Sequence, residues 1–250
     1  MKRIISIALI FAAFIANAQQ TTTPQTANDK AAQEAKQRQA AEDHFHNDWP
    51  NLKKYEDENS KLGPNPNRVV FMGNSITENW KNLDSAFFSG NNVCRGISGQ
   101  TSPQMLVRFR EDVINLKPAV VVISAGINDI AENTGPSKLE NVLGNIISMA
   151  QLSQAANIKV VLSSVLPANR LGWRPSITPT EKVIQLNQMI KDYADKNNIV
   201  YLDYYSAMVD DQKGLPLSLS GDGVHPTLAG YKIMEPLAQK AIAEALKRSK

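Results

Sequence analysis

Cysteine is almost absent from this chain, since Cys94 is the single cysteine among 250 residues. One thiol cannot form a disulfide within the chain, a cysteine-ligated zinc ribbon or a CxxC redox pair, so these classes are excluded. Histidine is also scarce: of the three, His44 and His46 form an H-x-H pair without a third ligand nearby in the sequence. No metal site is therefore predicted, and Cys94 is expected to be a small buried residue.

The chain also has little net charge. The chain carries 27 Lys and Arg against 24 Asp and Glu, a net charge of +3, of which Lys2 and Arg3 supply two. Nucleic-acid binding proteins usually present a basic stripe. The one short basic cluster here is Lys247, Arg248 and Lys250, which is typical of a solvated helix end, so nucleic acid is not a predicted partner.

Long hydrophobic runs are missing except at the start of the chain. Residues 4–16 are apolar, follow two basic residues and precede the small-residue sequence Ala16-Asn17-Ala18. This pattern predicts a secretory signal peptide over residues 1–18, cleaved after Ala18, and a secreted or periplasmic protein without stable membrane insertion. A transmembrane anchor is the weaker alternative, because a span needs about 20 apolar residues.

The next segment, residues 19–45, is rich in Gln, Thr, Ala and Lys and lacks large apolar residues until its last positions. Such a composition cannot bury a core, so a polar flexible linker is predicted. Residues 31–42 contain good helix formers and are expected to be transiently helical. The folded domain is predicted over residues 46–250.

Within that domain, short apolar runs alternate with helical patterns. Five runs rich in Val, Ile and Leu predict strands at residues 68–73, 92–95, 119–125, 159–166 and 199–203. Apolar residues at helical spacing predict long helices at 139–155, 180–196 and 226–248. Continuous apolar strands alternating with helices indicate an α/β fold, a three-layer α/β/α sandwich around a parallel sheet.

Chemistry-bearing residues follow the predicted strands, at the edge where open parallel sheets bind ligands. Three of these groups are Gly73-Asn74-Ser75, Gly126-Ile127-Asn128-Asp129 and Asp222-Gly223-Val224-His225-Pro226. Ser75 at a strand-to-helix junction fits either a helix N-cap or a nucleophile. Asp222 and His225 fit either a turn or a carboxylate that orients a general base.

Two further residues are candidate donors to a developing oxyanion. Asn128 ends a buried strand and fits either a turn-stabilising residue or a side-chain amide donor. Gly99, without a side chain, allows a substrate oxygen to approach its backbone N–H closely.

Together these blocks resemble the SGNH/GDSL hydrolase superfamily, and the segments FMGNSITENW, RGISGQTS and DGVHPTLAGY resemble its secreted bacterial acylhydrolase branch. The resemblance implies a flavodoxin-like sheet of five parallel strands in the order 2-1-3-4-5. It also implies Ser75 as nucleophile, His225 as base and Asp222 as its orienting partner. The implied oxyanion hole consists of the Ser75 and Gly99 amides and the Asn128 side chain, and no cofactor is required. One departure is Asn74, where the family usually has Asp.

The expected reaction is hydrolysis of a small-molecule or glycan ester through an acyl-enzyme, with the O-acetyl ester of a carbohydrate as the favoured substrate. The residues expected to contact substrate are Asn74, Trp80, Arg170 and Trp173, the two tryptophans because aromatic faces stack on sugar rings. An equal alternative is that the tryptophans are packing residues and the arginine is solvated. A lysophospholipase or thioesterase acylhydrolase is the first alternative function. A catalytically silent glycan-binding module is the second.

Overall fold

The structure, a computed structural model, describes residues 27–248. The predicted signal peptide, residues 1–18, and the first part of the predicted linker lie outside this range. The chain divides into two compact units between Asp43 and His44. Helix α1 (Ala27–Asp48) is longer than the 31–42 segment in which helix formers are concentrated. Of the helices in the described range, none is long and apolar enough to cross a bilayer.

The second unit is built on one five-stranded sheet. Its strands are β1 (Val69–Gly73), β2 (Asn92–Gly96), β3 (Val120–Ile123), β4 (Lys159–Ser163) and β5 (Val200–Leu202). All pairings are parallel and the order is β2-β1-β3-β4-β5. The predicted fold class and strand order are therefore confirmed. Every residue of β1 and β3 is buried, which explains why these strands read as continuous apolar runs.

Helices precede, connect and follow these strands. After a 3₁₀ turn (Leu52–Tyr55), they are α2 (Glu56–Lys61), α3 (Ser75–Leu83), α4 (Ser102–Phe109), α5 (Ile127–Ile130), α6 (Leu139–Ala155), α7 (Thr180–Lys196), α8 (Tyr205–Met208) and α9 (Leu228–Lys247). A π-helical turn (Arg110–Ile114) follows α4. The predicted bounds of α6 and α7 agree with the structure. Helix α9 begins two residues later than predicted because Pro226 forms a β-bridge with Ser220 and belongs to the preceding loop.

The direction of each crossover places the helices in two layers. The chain moves one way along the sheet from β1 through α3 to β2, and the other way from β3 through α6 and α7 to β5. Because parallel crossovers are right-handed, α3 lies on one face and α6 and α7 on the other. Helix α9 packs against α3, and α4 packs against α6, which completes the two layers.

Strand register brings the ends of the central strands together. Gly73 of β1 lies opposite Gly96 of β2, and Met72 of β1 lies opposite Ile123 of β3. The segments that follow these strands therefore leave the sheet at one edge. These are the segments that carry Ser75, Gly99 and Asn128.

Candidate functional site

Ser75 is the first residue of α3 and follows β1 after a single intervening residue, Asn74. The Asn74 side chain accepts a hydrogen bond from the Ile76 N–H at 3.0 Å, so Asn74 is the helix N-cap. Capping by the preceding residue leaves the Ser75 hydroxyl available for other contacts. The first-turn N–H groups of a helix lack intrahelical acceptors and favour negative charge, which suits the Ser75 amide to an oxyanion.

His225 and Asp222 lie beside Ser75 in the structure. The Ser75 Oγ is 2.9 Å from His225 Nε2, and His225 Nδ1 is 2.6 Å from Asp222 Oδ2. A carboxylate accepts hydrogen bonds, so it holds the proton on Nδ1 and leaves Nε2 as the acceptor for the Ser75 hydroxyl. The three predicted side chains thus form one continuous hydrogen-bonded chain.

The Asp222 carboxyl is held in its ionised form by this arrangement. Partial burial alone would raise its pKa, but hydrogen bonds from the His225 ring and from the backbone of His225 and Val224 lower the pKa to about 2. The two backbone N–H groups donate to Asp222 Oδ1 at 2.8 and 2.9 Å. One oxygen therefore fixes the loop while the other orients the imidazole.

Ser220 also contributes to the site, although it was not predicted from the sequence. Its buried hydroxyl lies 3.1 Å from Asp222 Oδ1 and 2.8 Å from the His225 carbonyl, and it accepts the Gly223 N–H at 2.9 Å. These contacts close the loop that carries His225. A serine two residues before an Asp-Gly turn was the available signal, because serine hydroxyls commonly bond to nearby backbone.

The other two candidate oxyanion donors, Gly99 and Asn128, line the same cleft as Ser75 and His225. Gly99 has a φ of +77°, a left-handed conformation that glycine adopts without strain. The Asn128 Nδ2 donates one of its two hydrogens to the Gln100 carbonyl at 2.9 Å. The second hydrogen remains available for a substrate oxygen.

Helix α3 also anchors the loop that contains Gly99. Glu78 accepts hydrogen bonds from the Ser98 N–H at 2.8 Å and the Ser98 hydroxyl at 2.6 Å. Burial alone would raise the Glu78 pKa, but these bonds and the Lys54 ammonium, 3.0 Å away, leave the pKa below its ordinary value. An ionised Glu78 therefore ties the glycine loop to the helix that begins at Ser75.

A buried arginine, Arg108, joins the ends of β1 and β2 to the loop that contains Gly99. Arg108 donates to the Gly73 carbonyl and the Arg95 carbonyl, both at 2.9 Å, and to Gln100 Oε1 at 2.6 Å. The Asp112 carboxylate pairs with this guanidinium, with its Oδ2 2.7 Å from Arg108 Nη1. Arg108 could not be selected from the sequence, because a single arginine in an amphipathic helix has no local signature of burial.

Ser75, His225 and the candidate oxyanion donors line a cleft of about 360 Å³. Polar groups and one aromatic ring line it, contributed by Ser75, Asn79, Ser98, Gly99, Asn128, Asn133, Trp173 and His225. Trp173 is 41% exposed and its ring centroid lies 6.2 Å from that of His225. The tryptophan therefore presents an apolar face next to the candidate base.

Three of the four residues expected to contact substrate are not among the residues that line this cleft. Trp80 is a core residue, 2% exposed and stacked between the rings of Phe87 and Tyr231. Asn74 is buried, and its side chain caps α3. The Arg170 guanidinium covers Gly223, since a Cβ added to Gly223 would lie 3.1 Å from Arg170 Nε. Helical spacing after the serine turns Trp80 toward the core, which sequence position alone did not reveal.

Comparison with known proteins identifies the family of the chain. The model of the GDSL-like Lipase/Acylhydrolase family matches residues 71–233, well over half of the chain. The chain belongs to this family.

Among its relatives are an acetylxylan esterase of Geobacillus stearothermophilus, 29% identical over 57% of this chain and 67% of that protein, and the esterase TesA of Pseudomonas aeruginosa, 30% identical over 55% and 62%. The aligned regions thus span about two thirds of each curated relative. The crystal structure of a candidate acylhydrolase from Bacteroides fragilis is 52% identical, with a TM-score of 0.78, over 81% of this chain and 100% of that one. Family membership and the esterase relatives identify the chain as a carboxylic ester hydrolase.

Asp129, the last residue of the family's Gly-Ile-Asn-Asp block here, anchors the start of α4. Its carboxylate accepts the Ser102 N–H at 3.0 Å and the Ser102 hydroxyl at 2.6 Å. Burial nevertheless raises its pKa from 3.8 to about 6, because the hydrogen bonds from Ser102 offset only part of the burial cost. The folded protein therefore binds this proton more tightly than the unfolded chain does.

Asp129→Asn is expected to change how stability depends on pH. A raised pKa in the folded state adds stability below about pH 4, and this stability is lost as the pH rises through about 6. The Tm of the parent protein minus the Tm of the variant should therefore decrease from pH 4 to pH 7. The corresponding loss in free energy of unfolding is at most about 3 kcal/mol. Thermal unfolding across this range, with exposed Asp57→Asn as control, measures it; parallel curves for parent and Asp129→Asn would contradict it.

Proposed function

We propose that this protein is a serine esterase that hydrolyses O-acetyl esters of carbohydrates through an acyl-enzyme. The observation that carries the proposal is the hydrogen-bonded chain of Ser75, His225 and Asp222, with separations of 2.9 and 2.6 Å, beside the exposed Trp173 ring. Ser75 is the proposed nucleophile, His225 the general base and Asp222 its orienting partner. The proposed oxyanion donors are the Ser75 and Gly99 amides and the Asn128 side chain.

In the acylation step, the Ser75 oxygen attacks the carbonyl carbon of the ester while His225 Nε2 takes the hydroxyl proton. The carbonyl oxygen becomes an anion, which the three donors stabilise. Collapse of this intermediate breaks the bond to the sugar oxygen, which leaves with the proton from Nε2. Asp222 stabilises the imidazolium through Nδ1 while that proton is in transit.

In the deacylation step, a water molecule attacks the acyl-serine and gives its proton to His225 Nε2. A second oxyanion forms in the same hole and collapses, so that the bond to the Ser75 oxygen breaks. The imidazolium returns its proton to Ser75, and the carboxylic acid is released. Each proton removed is returned, so the cycle needs no other reactant.

The lining of the cleft supports a short acyl group and a polar alcohol. Amides, hydroxyls and backbone surround Ser75, and Trp173 is the one large apolar side chain among the lining residues. A long acyl chain would leave its methylene groups without apolar contacts there, which costs about 0.8 kcal/mol for each methylene not buried. A sugar ring, by contrast, has an apolar face for Trp173 and hydroxyls for the amides.

The test is a substrate panel for the protein from residue 19 onward, the form expected after export. We expect kcat/KM for p-nitrophenyl esters to fall from acetyl to butyryl to octanoyl, and acetate to be released from acetylated xylooligosaccharides. A rise toward octanoyl would favour the lipid or thioester acylhydrolase instead. Absence of hydrolysis together with absence of fluorophosphonate labelling would favour the silent binding module.

Trp173→Ala tests the sugar contact. We expect KM for acetylated xylooligosaccharides to rise about five- to tenfold, since an aromatic contact contributes on the order of 1 kcal/mol. The KM for ethyl acetate should change less than twofold, because its leaving group has no ring to pack on the indole. Equal changes in KM for both substrates would argue against sugar stacking.

A further inference from the structure

Asn133 is a residue that no sequence motif selected, although it contacts three parts of the cleft. Its side-chain Nδ2 donates to the Gly99 carbonyl at 3.1 Å, and its Oδ1 accepts the Trp173 Nε1–H at 3.0 Å. Its backbone N–H donates to the Asn128 carbonyl at 3.0 Å. The half-buried Asn133 thus contacts two candidate oxyanion donors, Gly99 and Asn128, and also the Trp173 ring beside His225.

Chemistry fixes the orientation of this amide. An indole N–H can only donate and a backbone carbonyl can only accept. The Asn133 oxygen must therefore face Trp173, and its nitrogen must face Gly99. No other side chain of the same shape satisfies both partners, because aspartate cannot donate.

We propose that Asn133 is a positioning residue for the oxyanion hole. It holds the Gly99 loop and the Asn128 backbone in fixed positions relative to each other and connects them to Trp173. The role rests on the proposed function, since it presumes that Gly99 and Asn128 donate to the anion.

Two loops that leave different strands meet at the oxyanion hole, where the Asn128 Nδ2 bond to the Gln100 carbonyl already joins them and the Asn133 bond to the Gly99 carbonyl adds a second connection. Gly99 follows β2, whereas Asn128 and Asn133 follow β3, so the two donors are not fixed by a shared helix or strand. Glycine's backbone freedom helps the close approach of an oxyanion but leaves the direction of the peptide weakly determined. The Asn133 bond to the Gly99 carbonyl restrains that freedom on one side, as the Glu78 bonds to Ser98 do on the other.

Trp173 extends the same chain of contacts to the substrate side. A sugar that packs on the indole would stabilise the orientation in which Nε1 donates to Asn133. Binding of the alcohol portion would then favour an ordered oxyanion hole. Acetyl esters of sugars would then have a higher kcat and a lower KM than acetyl esters of small alcohols.

The experiment compares Asn133→Asp with Asn79→Asp. Both place a carboxylate in the same cleft, but only the first sets an oxygen against the Gly99 carbonyl. Loss of one oxyanion donor costs about 10²- to 10³-fold in kcat, so displacement of the loop is expected to cost about 10- to 100-fold on p-nitrophenyl acetate. KM should stay within about threefold, and phosphonylation of Ser75 by a fluorophosphonate should slow in parallel with kcat. The loss in Asn79→Asp measures the effect of charge alone.

A second variant, Trp173→Phe, keeps an aromatic face and removes the N–H donor. We expect kcat on p-nitrophenyl acetate to fall about two- to fivefold with little change in Tm, because position 173 is partly exposed. Equal kcat losses in Asn133→Asp and Asn79→Asp, or an unchanged kcat in Trp173→Phe, would overturn the positioning role while leaving the esterase intact. A parent protein that does not hydrolyse the ester would overturn the proposed function, and this role with it.

Discussion

Ser75→Ala is expected to lower kcat for p-nitrophenyl acetate by about 10⁶-fold, the scale of loss when a serine hydrolase loses its nucleophile. Without the hydroxyl no acyl-enzyme can form, so the oxyanion donors and the cleft can assist only direct attack by water. The change removes one oxygen from the start of α3. Capping of that helix depends on Asn74, so the fold should persist.

Two measurements decide this prediction. The first is steady-state hydrolysis by purified Ser75→Ala, with exposed Ser89→Ala as the matched serine control. The second is fluorophosphonate labelling followed by peptide mapping, in which the parent protein should be modified at Ser75 and the variant should not. Hydrolysis within tenfold of the parent rate would show that another group is the nucleophile.

Asp222→Asn is expected to lower kcat by about 10⁴-fold with little loss of folded protein, the scale known for the equivalent change in serine proteases. The Asn oxygen can still accept the backbone N–H groups of Val224 and His225. Its NH₂ group would then face Nδ1 of the imidazole. This favours the tautomer with the proton on Nε2, which cannot accept the Ser75 proton.

The matched control for this prediction is Asp203→Asn, which alters an exposed aspartate in the loop after β5. Rates on p-nitrophenyl acetate and Tm values for both variants separate lost chemistry from lost stability. A kcat for Asp222→Asn within tenfold of the parent value would mean that the carboxylate does not set the His225 tautomer. Unfolding of Asp222→Asn alone would assign Asp222 mainly to loop structure.

Much of the fold could be predicted because its signals are local. Continuous apolar runs predicted all five strands within three residues, and helical periodicity predicted both ends of α6 and α7. Shorter elements were missed: α2, α5 and α8 each have six residues or fewer, too few turns for a periodic pattern. Helix α4 and its π-helical turn were missed as well.

The positions of the residues expected to contact substrate could not be predicted from the sequence, for a different reason. A tryptophan or an arginine near a glycine-rich block can face the cleft, the core or the solvent, and composition does not distinguish these. Trp80 faces the core because α3 turns it onto the sheet, beside Phe87 and Tyr231. Trp173 lines the cleft because it lies in the loop between β4 and α7.

The sequence by itself determined the strands, the main helices and the residue types available at one edge of the sheet. These properties depend on neighbours a few residues apart, through side-chain periodicity and turn chemistry. Tertiary structure decided which of those residues meet. Ser75 and His225 are 150 residues apart, and Asn133 and Gly99 are 34 apart. Such contacts exist because parallel strands end at a common edge, and the 2-1-3-4-5 order places their loops side by side.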